Sequence, residues 1–190
     1  MSIQSVNIQI GTMEVNLVQS VLFIIVMGIV STPFFGLRIP PIMPYTWLLV
    51  FHELLGFMFV GHTIFSNIWA MRIRMSPHHE AGVMARAFLR KMAFCITMPT
   101  SILVPVFGLM MIEDSWGGIY EAPWARDALI GFWLIWLLNI APDLIRYARD
   151  EQAANPRAGV IWAASRGIVS TVITIVIIIL MATKSHILPA

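Results

Sequence analysis

Two histidines and one acid stand inside a long apolar segment, the stretch from Tyr45 to Arg72, which carries His52, Glu53 and His62 among Leu, Phe, Met and Val. Ionisable groups at membrane depth are costly and therefore mark functional positions. Neutral imidazole is the commonest protein ligand for metals, and it also serves as an axial ligand to haem iron in helix bundles. His52 and His62 are thus candidate cofactor or metal ligands. Bis-histidine haem in a bundle needs imidazoles from facing helices, and the three later apolar runs contain none. Met98, Met110, Met111, the distal His186 or a partner subunit is left to supply a sixth ligand. Glu53 could relay protons or orient a metal ligand, or simply reach water at the interface.

Other polar residues are weaker candidates. Arg86 and Arg90 could hold haem propionates or anionic headgroups, although basic anchors at the cytoplasmic face are the commoner use. His78, His79 and Glu80 are adjacent on a predicted loop, project in different directions and are expected to be solvated. Asn139 and Asp143, four apart, lie on one helical face and are expected to pair with Arg166 for structural reasons. There is no Walker, Rossmann, HExxH or nucleophile-elbow pattern, so nothing in the chain specifies a reaction.

The elements that position these residues follow from hydropathy. At 58% hydrophobic and 12% charged residues over 190 positions, with a mean hydropathy of +0.81, the chain is unlike an ordinary soluble domain and predicts an all-α, polytopic membrane helix bundle. Long continuous apolar runs exclude the short alternating segments of a β-barrel. Five spans are expected, at about 15–37, 45–72, 84–112, 126–147 and 160–182, in a single integral-membrane domain. Residues 1–14 lack Lys and Arg, and so lack the basic start of a cleavable signal peptide. Pro40, Pro41 and Pro44 break the chain before the second span. The third is expected to begin as an amphipathic helix carrying Arg86, Arg90, Thr97, Ser101 and Gly108 on one stripe, and to bend at Pro99 and Pro105.

Charge sets the expected orientation. Residues 72–91 hold Arg72, Arg74, Arg86, Arg90 and Lys91 against Glu80 alone, whereas the loop from Glu113 to Asp127 is acidic and carries Trp116 and Trp124. The positive-inside rule then predicts a bacterial inner membrane protein with a cytoplasmic amino terminus and a periplasmic carboxyl terminus. On the second span, a turn of 100° per residue puts His52, Gly56, Phe59, Thr63, Ser66, Asn67 and Ala70 on one protein-facing stripe. His62 is about 80° around from it and about 15 Å deeper than His52. Cys95 is the single cysteine and net charge is +2, so neither a disulfide framework nor a nucleic-acid surface is expected.

The residues His52, Phe59, Gly61 and His62, a histidine opening a helix followed by an aromatic and small positions, resemble a superfamily of small helical membrane proteins. It includes the CopD-type copper-resistance membrane domain, the HemJ-type protoporphyrinogen oxidases and a family of predicted integral membrane proteins. Phe59 stands where that pattern usually has Trp, and His62 where it has a small residue. The likeness continues through Arg86, Leu89, Pro99 and Gly108, then Trp124 and Arg126, and covers roughly residues 45–150. The superfamily's further intramembrane histidine, expected in the fourth span, has no counterpart here. The resemblance implies a bundle bound to b-type haem or copper, working in redox or haem metabolism.

Three function classes follow as expectations. The first is an inner-membrane redox-associated protein, with His52 ligating haem b or a metal, working in electron transfer or the assembly of a membrane redox complex. It would contact the lipid bilayer, other membrane subunits or further copies of itself, and a quinone. The second is a non-catalytic accessory subunit of a membrane complex. The third is a copper or small-solute permease with His62, Met58, Met98 and Asn67 along its path.

Overall fold

The computed structural model describes residues 21, 24–148 and 159–188, without the side chains of residues 70, 86, 90, 94, 140, 141 and 143–148. Six helices account for the ordered elements, and no strand occurs among the described residues. They are α1 (Ile24–Phe35), α2 (Tyr45–Arg74), α3 (His79–Met92), α4 (Met98–Trp116), α5 (Pro123–Ala148) and α6 (Val160–Thr183). The all-helical prediction holds. Residues 1–14 and most of the run before Ile24 lie outside the described residues.

Three segments are long and apolar enough to cross a bilayer: Tyr45–Arg74, Cys95–Trp116 and Val160–Thr183. Their 22 to 30 residues exceed the roughly 20 needed to span the hydrocarbon core. On α2, Phe57 and Phe65 are 76% and 73% exposed. Bulky apolar side chains so exposed, on a helix of this length, form a lipid-facing surface.

Local sequence explains the boundaries. Thr32–Phe35 tightens into a 3₁₀ turn closed by Gly36 at φ 75°, whose N–H reaches the Pro33 carbonyl at 3.1 Å. Such a left-handed cap favours glycine because no Cβ is present to clash. Pro44, in extended backbone, precedes α2. The third predicted span proves to be two helices in continuous register: α3 begins at His79, five residues before the expected start, and joins α4 through a π-helical segment, Ala93–Thr97. Glu80 in the first turn of α3 favours that earlier start through the helix dipole. His79 and Glu80, expected in a loop, therefore open a helix. Pro99 has no N–H to donate upstream, which interrupts the α-ladder where the π segment widens it.

Packing divides the molecule into two principal seams, α2 against α3 and α4, and α5 against α6. Clusters centred on Phe59 and Phe132, and on Val30, Leu109 and Leu129, tie the seams together through α1. At one end, Trp116 and Trp124 stack edge-on, and the Lys184 ammonium lies 3.8 Å from the centre of the Trp124 ring. Partial desolvation there lowers the Lys184 pKa from the ordinary lysine value. Asp127 accepts the backbone N–H groups of Ile187 and Leu188 at 2.6 and 2.9 Å, which fastens the segment after α6 to the start of α5. Arg38 pairs with Glu113 at 3.1 Å at the end of α4.

Candidate functional site

Helix α2 presents both histidines to the neighbouring helix at two irregular points. Nδ1 of His52 lies 2.9 Å from the carbonyl oxygen of Val104, one residue before Pro105. Carbonyl oxygen only accepts, so Nδ1 carries the proton and donates it. The ring reaches that carbonyl because Gly108, one turn on, has no side chain: a Cβ there would stand 3.0 Å from Cε1 and 3.2 Å from Nδ1 of His52. Distances this short make glycine the residue that admits the imidazole. Nε2 makes no hydrogen bond among the described residues.

Nδ1 of His62 is 2.8 Å from Oγ1 of Thr97, the last residue of the π segment. π turns inside α-helices are frequent at functional positions. Thr100 and Ser101 turn their hydroxyls back onto the Ile96 and Met98 carbonyls. Of the predicted stripe Arg86, Arg90, Thr97, Ser101 and Gly108, Thr97 and Gly108 meet the histidines of α2, and the side chains of Arg86 and Arg90 lie outside the described residues.

The expected protein-facing stripe of α2 splits into two. His52 and Phe59 pack inward, Phe59 against Phe132 with ring centres 6.2 Å apart. Thr63 and Asn67 instead border a groove toward α6. His52 and His62 are ten residues apart on one helix, about 15 Å along its axis, which places them in separate sites. Met98 packs in the cluster of Met27, Phe59 and Phe132. It is six residues before Val104, about 9 Å along α4. Met110 and Met111 pack with Leu48, one turn before His52 on α2. The side chains of Arg86 and Arg90 lie outside the described residues, as does that of Asp143. His186 is exposed. Among the described residues no group of three His, Cys, Asp or Glu could hold a metal ion.

The chain was compared with known proteins. No family model, curated protein or solved structure matches it.

The second polar seam joins α5 and α6. Arg166 is buried, and its Nη1 donates to the carbonyls of Leu138 and Asn139 at 3.1 and 3.2 Å. Leu138 is four residues before Pro142, which has no N–H to offer, so the guanidinium satisfies a carbonyl that the helix itself leaves unpaired. Asn139 donates from Nδ2 to the Ser170 hydroxyl at 2.5 Å and to the Ile135 carbonyl at 2.8 Å. Sequence reasoning expected Asn139 and Asp143 to pair with Arg166; the guanidinium meets the Asn139 backbone carbonyl, the Asn139 side chain bonds Ser170, and the Asp143 side chain lies outside the described residues. That reasoning missed the Leu138 carbonyl, although Pro142 four residues after Leu138 was a usable signal.

The donor set would offer a haem iron or a copper ion one nitrogen. A ligating histidine commonly gives its second ring N–H to a carbonyl or carboxylate, which fixes both tautomer and ring orientation. His52 has that arrangement, with the Nε2 lone pair left for a ligand.

Proposed function

We propose that this chain is an inner-membrane redox-associated protein that holds a b-type haem, or copper in its place, through Nε2 of His52. It works in electron transfer or in the assembly of a membrane redox complex. The observation that carries the reading is the Nδ1–H bond from His52 to Val104, made over Gly108, which leaves Nε2 as a neutral donor inside the bundle. A haem held there supplies one-electron chemistry. The chain's own part is to fix the imidazole tautomer, exclude water through the apolar cluster of Leu48, Met110 and Met111, and present one ligand. A second ligand would come from Met110 or Met111, or from a residue of another subunit. The basic stretch from Arg72 to Lys91 sets that end in the cytoplasm, with the carboxyl terminus in the periplasm. Arg86 and Arg90 then stand as the headgroup-side or quinone-side charges.

An absorption spectrum of detergent-solubilised protein from haem-replete cells, with copper measured in the same sample, tests this reading. A Soret band, or stoichiometric copper, that is lost in His52→Ala is expected. Colourless, copper-free protein overturns the reading.

A second reading, a non-catalytic accessory subunit, is favoured by polar side chains that join helices, Arg166 to the Leu138 carbonyl and Asn139 to Ser170. It predicts colourless protein that co-purifies stoichiometrically with a larger membrane enzyme.

A further inference from the structure

A groove of about 320 Å³ runs between α2 and α6, with Leu89 of α3 also in its lining, and neither histidine lines it. On α2 it extends from Thr63 to Arg74, eleven residues or about 16 Å. One leaflet's share of the hydrocarbon core is about 15 Å. The groove is therefore one leaflet deep.

Its walls are apolar. Asn67 turns its amide back onto the Thr63 carbonyl, and α6 contributes Ala163, Gly167 and Thr171 at four-residue spacing. Small residues at this spacing normally let two helices close on each other, but among the described residues a Cβ built on Gly167 meets nothing within 4 Å. The end of the groove carries positive charge. Arg74 lines it, and Arg72 shares the last turn of α2.

An apolar trough one leaflet long, with a guanidinium at the surface end, matches a phospholipid with an anionic headgroup. Guanidinium is suited to phosphate because its planar donors bond two oxygens at once. We propose that the α2–α6 groove binds one anionic phospholipid, its acyl chain lying along Gly167 and Thr171 and its phosphate at Arg74. The occupant is a bilayer lipid taken laterally, so this site does not depend on what His52 holds.

One polar atom distinguishes this occupant from others. The Thr63 hydroxyl, at the deep end, is buried with no hydrogen-bond partner among the described residues. An acyl chain has nothing to offer it, whereas a ligand with a carbonyl or ring oxygen at that depth would bond it.

Native mass spectrometry of the full chain, released from detergent with added dioleoyl phosphatidylglycerol or dioleoyl phosphatidylcholine, tests the proposal. One phosphatidylglycerol is expected to be retained, with about a fivefold preference over phosphatidylcholine, as one cationic side chain near the surface confers. Arg74→Gln abolishes the preference. Gly167→Leu, which fills the open space, lowers retention of both lipids, and Thr63→Val leaves retention unchanged. Equal retention of the two lipids by the unaltered chain overturns the proposal, as does undiminished retention by Gly167→Leu. Loss of binding in Thr63→Val also overturns it, by pointing to a ligand with a polar group at that depth.

Discussion

The seam between α2 and α4 and the seam between α5 and α6 are each held by polar side chains, at points where proline disturbs a helix. They use that polarity differently. In the α5–α6 seam the Arg166 guanidinium bonds the carbonyl left unpaired by Pro142, and Asn139 bonds Ser170 and its own helix. Nη1 of Arg166 and Nδ2 of Asn139 each reach an acceptor across the seam. Buried polar groups that find partners in this way rigidify a fold and specify one arrangement of its helices. In the α2–α4 seam each imidazole spends Nδ1 on the facing helix and keeps Nε2 out of the hydrogen-bond network of the described residues. A ring nitrogen left outside that network can bind something, as Nε2 of His52 can, whereas Nη1 of Arg166 and Nδ2 of Asn139 are spent on holding two helices together.

A glycine on each side gives the sharpest way to break that contrast. Gly108 abuts the His52 ring, whereas a Cβ at Gly131 would meet Cγ1 of Ile177 at 3.1 Å and its Cδ1 at 3.3 Å. Gly108→Ala is expected to displace the imidazole from Val104 and abolish any spectral signature of a group bound to His52. Its effect on stability should be small, because crowding of about 1 kcal/mol is offset by a helix-propensity gain of about 1 kcal/mol. Gly131→Ala crowds Ile177 on the seam that holds no imidazole, and it should leave the spectrum intact. Loss of the signature in both variants, or in neither, would remove the distinction between the seams.

Arg166→Met addresses the other seam. It leaves the Leu138 carbonyl without its donor, at a cost of about 1 to 3 kcal/mol for an unsatisfied buried group. Unfolding from mild detergent should show that loss while the His52 site keeps its spectrum. An unchanged midpoint would mean that Arg166 is held for chemistry, and that the architectural reading of this seam is wrong.

The sequence made some of this legible and hid the rest for identifiable reasons. Hydropathy foretold helices, and period-3.6 arithmetic placed His52 and Phe59 inward. The stripe through Thr97 and Gly108 was visible because small and polar residues stand out in an apolar run. The acceptors were not visible, since Val104 and Leu138 act through backbone carbonyls that every residue possesses. Only the prolines nearby hinted at them. The groove between α2 and α6 was hidden for a different reason: small residues such as Ala163, Gly167 and Thr171 suit a helix-packing face, and whether such a face is filled depends on tertiary geometry. The earlier start of α3 reflects His79 and Glu80 completing a helical turn ahead of the apolar stretch.

The smallest effect concerns His62, whose place in the contrast is intermediate. It stands about 15 Å from His52 along α2 and bonds a side chain, Thr97, where His52 bonds backbone. A hydroxyl can donate or accept, so Thr97 does not fix the His62 tautomer, and Nε2 is not committed to ligation as that of His52 is. His62 should then behave like the α5–α6 residues, as a helix link. A double-mutant cycle of His62→Ala with Thr97→Val is expected to give a coupling of about 0.6 kcal/mol, the usual worth of a hydrogen bond between membrane helices. Thr97→Val alone should leave the His52 spectrum unchanged. A shift of that spectrum on removing only the Thr97 hydroxyl would show the two imidazoles acting on one bound group across two turns of α4, and would move His62 from the holding class to the binding class.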